Sequence, residues 1–272
     1  MIIDFHAHTF PDAVAARAVA ALAASSGISP FSDGRASSLA AAARDAGISL
    51  TVNLPVATRP GQWRSMARAG KEMNDTAGST GLVSFAGIHP RDEEPERILD
   101  TLKEMGFKGI KLHPVFQDTA VDDPLTLRIL RSAAERDMIV TIHGGMDISF
   151  PDRRECSWEH ILSMLEKVPP RKLVLAHMGA WGQWKDAERF LGTSGLWLDT
   201  SFCLAPDDNP NFLPREQFVH MVRLHGADRV LFGTDSPWSS IRGSAELIRS
   251  SGLGKEEIDR ILSGNARALL GV

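Results

Sequence analysis

Ile2-Ile3-Asp4-Phe5-His6-Ala7-His8-Thr9 is the stretch on which the rest of the chain turns. Two apolar residues lead into it, so it reads as a buried strand carrying histidines at positions i and i+2. Side chains two apart in a strand share a face. His6 and His8 can therefore offer two imidazole nitrogens to one metal ion from a single rigid element. The alternative is a strand ending in two hydrogen-bonded histidines that bind nothing, which needs a separate partner for each buried ring.

Working outward, seven further apolar, β-branched runs follow: residues 48–55, 82–90, 108–114, 138–145, 172–179, 196–201 and 229–237. Helical stretches separate most of them. Residues 13–25 form the first, with Asp12 as a candidate N-cap and Gly27 just past its end. Residues 29–37 read as a loop, and 38–46 as a short helix stopped at Gly47. Helical patterns recur over about 62–77, around Ile98, Leu99, Leu102 and Met105, and over 125–136 and 158–167. Eight strands alternating with helices imply parallel pairing through right-handed crossovers, and a closed (β/α)8 TIM barrel of the α/β class, one domain over residues 1–272.

The polar residues then fall on one face. His6 and His8, His89, His113, His143, His177 and Asp235 each end a strand run, the end at which barrel enzymes build their sites. The other three of the nine histidines, His160, His220 and His225, lie in or beside helices and are expected at the surface.

Composition narrows the function. The 272 residues are 43% hydrophobic and 24% charged with a net charge of -4, so no basic field exists to hold nucleic acid or an anionic membrane. Cys156 and Cys203, far apart, read as reduced thiols. No basic leader and no run of 18 apolar residues is present, and the expectation is a soluble cytoplasmic protein, homo-oligomeric or not, with a small-molecule partner.

With HAH on the first strand, IHGG on the fifth, LAHMG on the sixth, FGTDSPW on the eighth and ILSGNARALLG at the C-terminus, the sequence resembles the amidohydrolase superfamily. It is most similar to the branch containing aminocarboxymuconate semialdehyde decarboxylase, the gamma-resorcylate decarboxylases and the pyrone dicarboxylate lactonases. The resemblance implies one divalent metal, zinc or alternatively manganese or another divalent ion, on His6, His8, His143 and Asp235. It also implies that His177 stays off the metal and acts on the substrate. The residue chemistry agrees, since three imidazoles and a carboxylate with one open position suit a catalytic divalent ion. Asp235 then takes the proton from an attacking water, while His177 polarises the carbonyl or protonates the leaving group.

Lys111, two before His113, departs from this branch; other amidohydrolases carry a carboxylated lysine there that bridges two metals. The simpler expectation is a cation paired with Asp235 or with a substrate carboxylate. His89 in GIHP resembles the TatD-type nucleases, whose fourth-strand glutamate is absent here; a histidine capping its own loop is the other reading. Arg59, Arg153 and Arg154 are loop arginines able to clamp a carboxylate, or simply solvated. Trp238, beside Pro237, is the better candidate for a pocket wall than Trp181 or Trp184.

The leading expectation is a metal-dependent hydrolase of a lactone, ester or amide. The first rival is a decarboxylase of an aromatic or enol acid, which uses the same residues. A PHP-type phosphoesterase, suggested by HAHT, needs further metal carboxylates, and a silent scaffold leaves the ligand set without purpose.

Overall fold

The computed structural model describes residues 1–272 except 206–208 and 210. Nine parallel strand segments form its centre: β1 (Ile3–Ala7), β2 (Leu50–Asn53), β3 (Leu82–Ser84), β4 (Ala86–Gly87), β5 (Gly109–Leu112), β6 (Ile139–Ile142), β7 (Leu173–Leu175), β8 (Leu196–Asp199) and β9 (Val230–Leu231). Each pairs with the next in sequence, as crossover helices require, except β3 and β4, which are successive segments of one run and pair with β2 and β5 respectively. The ring closes where Phe5 N–H donates to Phe232 O (2.7 Å) and His8 N–H to Ser236 O (2.7 Å). This is the expected α/β barrel.

The third run, expected as one strand, is two. β3 and β4 are broken at Phe85, whose ring turns inward and meets Phe5 edge-to-face at 5.7 Å. A Cβ on Gly109 would lie 2.5 Å from the Phe85 ring, so this position leaves room for the aromatic only as glycine. A second irregularity lies in β1. Asp4 pairs with Thr51 and Ala7 with Asn53, one residue more on β1 than on β2. Such a bulge re-aims side chains. Phe5 thereby joins the inner apolar cluster while its neighbour His6 reaches Asp199.

That inner cluster comprises Ile3, Phe5, Val52, Leu54, Phe85, Ile139, Val174 and Leu231. It comes from strands all round the ring, and Ala266, Leu269 and Leu270 of the C-terminal helix complete it. The alternate strand residues, such as Ile110, Leu112, Val140, Ile142, Leu198 and Phe232, pack outward against the helices. The polar histidines are thus left to the C-terminal ends of the strands.

Three helices matter below: α1 (Ala15–Ser26), α2 (Ala36–Asp45) and α3 (Trp63–Asp75). Helix α1 starts three residues beyond Asp12, with Val14 at the N-cap and no side-chain cap, while Gly27 closes it at φ 71 as expected. His225 is not at the surface. It is 1% exposed and bonded to Leu196 O and Gly192 N, because its helix turns that face onto β8. His160 is half-exposed against Asp122.

Candidate metal centre

His6, His8, Lys111, His113, His143, His177 and Asp235 line one cavity at the open end of the ring. His6, His8 and Asp235 each place one ligand atom within 4.8 Å of the others. Nδ1–H of His6 donates to the buried Asp199 carboxylate at 2.7 Å, and Nδ1–H of His8 donates to Leu54 O at 2.8 Å. Carboxylates and carbonyls only accept, so each neutral ring keeps its proton on Nδ1 and turns a bare Nε2 inward. Those two nitrogens are 3.1 Å apart, and Asp235 Oδ1 lies 3.1 Å from His8 Nε2 and 3.3 Å from His6 Nε2. Three acceptors at such spacing repel one another unless a cation sits among them. Two nitrogens bound tetrahedrally to one zinc ion stand about 3.3 Å apart, from bond lengths near 2.0–2.1 Å. The donor set fits a divalent ion.

His177 follows the same rule. Its Nδ1–H faces Ser201 O at 2.8 Å, leaving Nε2 bare. His143 Nε2–H faces Met146 O at 3.1 Å, which leaves Nδ1 bare and 3.0 Å from His177 Nε2. A second group, His113, His143 and Asp147, also brings its ligand atoms within 4.8 Å. There His113 stacks on His143 at 4.1 Å and lies 3.5 Å from Asp147 Oδ2. His143 therefore lies with His177 and His113 and not inside the His6, His8, Asp235 group.

Electrostatics favour neutral rings and an ionised acid. Burial, then the Lys111 charge, holds His6 down at about 4. Burial and neighbouring imidazoles keep His113 and His143 well below the usual histidine range. Burial raises Asp235, but the His8 hydrogen bond and the surrounding imidazoles outweigh it and keep the carboxyl below its ordinary range. Asp199 behaves likewise against His6. Three residues here, His177, Met178 and Asp235, adopt left-handed backbone at φ 59, 54 and 64, strain that concentrates at functional sites.

Lys111 is 1% exposed and its Nζ lies 3.3 Å from His6 Nε2. The expected pairing with Asp235 is absent among the described residues, because Lys111 and Asp235 come no nearer than 4.0 Å. Burial lowers its pKa to about 8. His113 and Trp238 line the cavity with the centre, as does Trp181. Trp184 is a packing residue whose N–H donates to His177 O. Two expected contacts lie outside the lining. Arg59 is exposed, and His89 accepts from Arg91 N in its own loop. Arg153 pairs with Asp118 and Glu155.

Asp199, Ser201, Asp147 and Asp4 were not anticipated. Asp199 ends an apolar strand in the same way as the histidines, a pattern visible in the sequence. Its Oδ1 accepts from His177 N and Ser201 N, and its Oδ2 from His6. Asp4 accepts from His6 N, Thr234 N and Thr234 Oγ1, fixing the segment after β9 that carries Asp235.

A closed parallel ring with imidazoles and one carboxylate converging at its C-terminal end defines a metal-dependent enzyme of the barrel type. The chain belongs to the amidohydrolase family, whose model matches residues 3–272. No curated protein matches the chain by sequence. Among solved structures it is similar to an uncharacterised TIM-barrel protein from Bordetella bronchiseptica (19% identity, TM-score 0.77, 99% of this chain and 98% of that one). A dihydroxybenzoic acid decarboxylase from Polaromonas, solved with manganese and the inhibitor 2-nitroresorcinol, is also similar (17%, TM-score 0.69, 99% and 96%). So is a putative 2-pyrone-4,6-dicarboxylic acid hydrolase from Pseudomonas putida (20%, TM-score 0.69, 99% and 97%). No helix among the described residues is long and apolar enough to cross a membrane.

Proposed function

We propose that this single-domain enzyme hydrolyses a small carbonyl compound, a lactone, ester or amide, with one divalent ion held by His6, His8 and Asp235 and with His143, which lies beside that group and not inside it, turning its bare Nδ1 to the ion as the fourth ligand. The observation that carries the reading is the set of bare imidazole nitrogens turned on Asp235, each oriented from behind by an acceptor-only partner. When bound, the ion supplies Lewis acidity and an acidified water, whose pKa falls from 15.7 toward about 7. Asp235, ionised at neutral pH, accepts the water's proton. His177 Nε2 faces the cavity and acts on the substrate carbonyl or leaving group, held by Ser201 O. Lys111 and His113 orient the substrate's anionic or polar end, and Trp238 walls the pocket. Zinc or manganese satisfies this ligand set.

Decarboxylation of an aromatic or enol acid is the second reading. It is supported by the similarity to a decarboxylase and by the buried Lys111 cation, which suits a carboxylate. The test is a screen of zinc- and manganese-loaded protein against lactones, esters, amides and aromatic acids, following both hydrolysis and released CO2. Hydrolysis without CO2 supports the first reading, and CO2 release replaces it with the second.

A further inference from the structure

The cavity at the metal centre measures about 1050 Å3, whereas a void of roughly 150 Å3 already takes a benzene ring. Part of the surplus opens over the barrel mouth, toward Leu22, Phe116 and Met146, and part is directional. From His8 the cavity passes the turn after β2 and continues as a groove between α2 and α3. Its floor is the outward side of β2 and β3, namely Asn53, Leu82 and Ser84. Ala36 and Ala40 form one wall, and Met66, Ala69 and Met73 the other. Gly70 also lines the groove, and an added Cβ there would lie 2.9 Å from the Phe107 ring and 3.2 Å from Ser84 Oγ, so α3 is seated closely on the barrel at this point.

Charge gives the groove a polarity. Its charged lining residues, Asp12 and Glu72, are acidic and exposed, while the buried cation Lys111 lies at the metal end. Asp235 and Asp147 also line the metal end, so it is Lys111 together with the bound divalent ion that draws an anionic head there, while the groove repels it. Apolar walls with adaptable methionines suit a chain of methylenes.

We infer that the substrate carries a straight apolar tail of about eight to twelve carbons that lies in this groove while its carbonyl or carboxylate head reaches the metal centre; this rests on the proposed metal-dependent activity. The lining from Gln62 to Thr76 covers roughly 21 Å of helix at 1.5 Å per residue. An extended chain gains about 1.2 Å per bond, as a polypeptide does at about 3.5 Å per three-bond residue. Twelve carbons therefore fit with length to spare for the head.

The test is calorimetric titration of the full chain with straight-chain carboxylates of four to twelve carbons, metal-loaded and metal-stripped. Each methylene buried should tighten Kd by up to about fourfold until the groove is full. Ala69→Trp and Ser37→Trp, both at solvent-facing positions of opposite walls, should end that gain at shorter chains. A Kd independent of chain length, or a length dependence untouched by both variants, overturns the inference. Binding needs no turnover, so the two proposals fail separately. A steep length dependence, with no turnover in the screen of lactones, esters and amides, leaves the groove assignment standing and removes the hydrolase reading. Hydrolysis of short esters with flat binding does the reverse.

Discussion

Replacing Asp199 by asparagine tests whether His6 is held in a ligating tautomer. Asp199 Oδ1 receives His177 N–H at 3.1 Å and Ser201 N–H at 3.0 Å, so the oxygen of an asparagine must stay at that position. The amide nitrogen then replaces Oδ2, 2.7 Å from His6 Nδ1, and presents donor to donor. His6 relieves this by moving its proton to Nε2, the atom that faces His8 and Asp235. Ser201 Oγ, 3.0 Å from His6 Nδ1, can accept in place of the carboxylate and limits the loss. Groups that orient metal-bound histidines contribute about 10- to 100-fold in metal affinity, or roughly 1.4 to 2.7 kcal/mol. Asp199→Asn should weaken zinc and manganese binding by that factor, measured by competition with a chromophoric chelator at pH 7.5. The near-isosteric change should leave the metal-free protein folded by circular dichroism. Affinity within twofold of wild type, with the fold intact, would refute the tautomer argument.

His6→Ala combined with His8→Ala should abolish bound metal, and unchanged occupancy by metal analysis would remove the site assignment. His177→Asn should keep metal content near wild type while lowering kcat by about 10²- to 10⁴-fold, the usual contribution of a positioned acid or base. His143→Asn should lose metal and activity together. Equal metal loss in both makes His177 a ligand, in keeping with its 3.0 Å approach to His143. Metal-free protein should lose stability on acidification. His6 is held at about 4 in the fold against 6.5 when unfolded, so its contribution is whole above 6.5 and lost as pH falls toward 4. At about 1.4 kcal/mol per pH unit this costs roughly 3 kcal/mol. His113 and His143 act in the same direction. Asp4, raised by burial to about 7, opposes them, stabilising below its unfolded value of 3.8 and fading as pH rises through 7. His225, lowered by burial to about 4, joins the three rings, and Asp147, also raised by burial, joins Asp4; the four rings outweigh the two acids, and a Tm unchanged between pH 7.5 and 4.5 would contradict this balance.

The sequence by itself determined the barrel and the membership of its mouth. Strand runs, helical spacing and the alternation of side chains are local properties of the backbone, so eight apolar runs, six of them ending in His6 and His8, His89, His113, His143, His177 or Asp235, were legible without coordinates. Which of those residues meet was decided by the closed ring. His89 ends its strand like the others, yet its loop turns it onto Arg91. Lys111 shares a face with His113, but ring geometry sets it against His6 and not Asp235. The break at Phe85 and the bulge in β1 arise because inward side chains from many strands must fill one interior, a condition no single segment contains. Asp199 lies 193 residues from the histidine it orients, and the groove between α2 and α3 exists only as space left between packed elements. Local periodicity specifies segments, whereas contacts across a ring depend on its closure and on the shape of every neighbour at once.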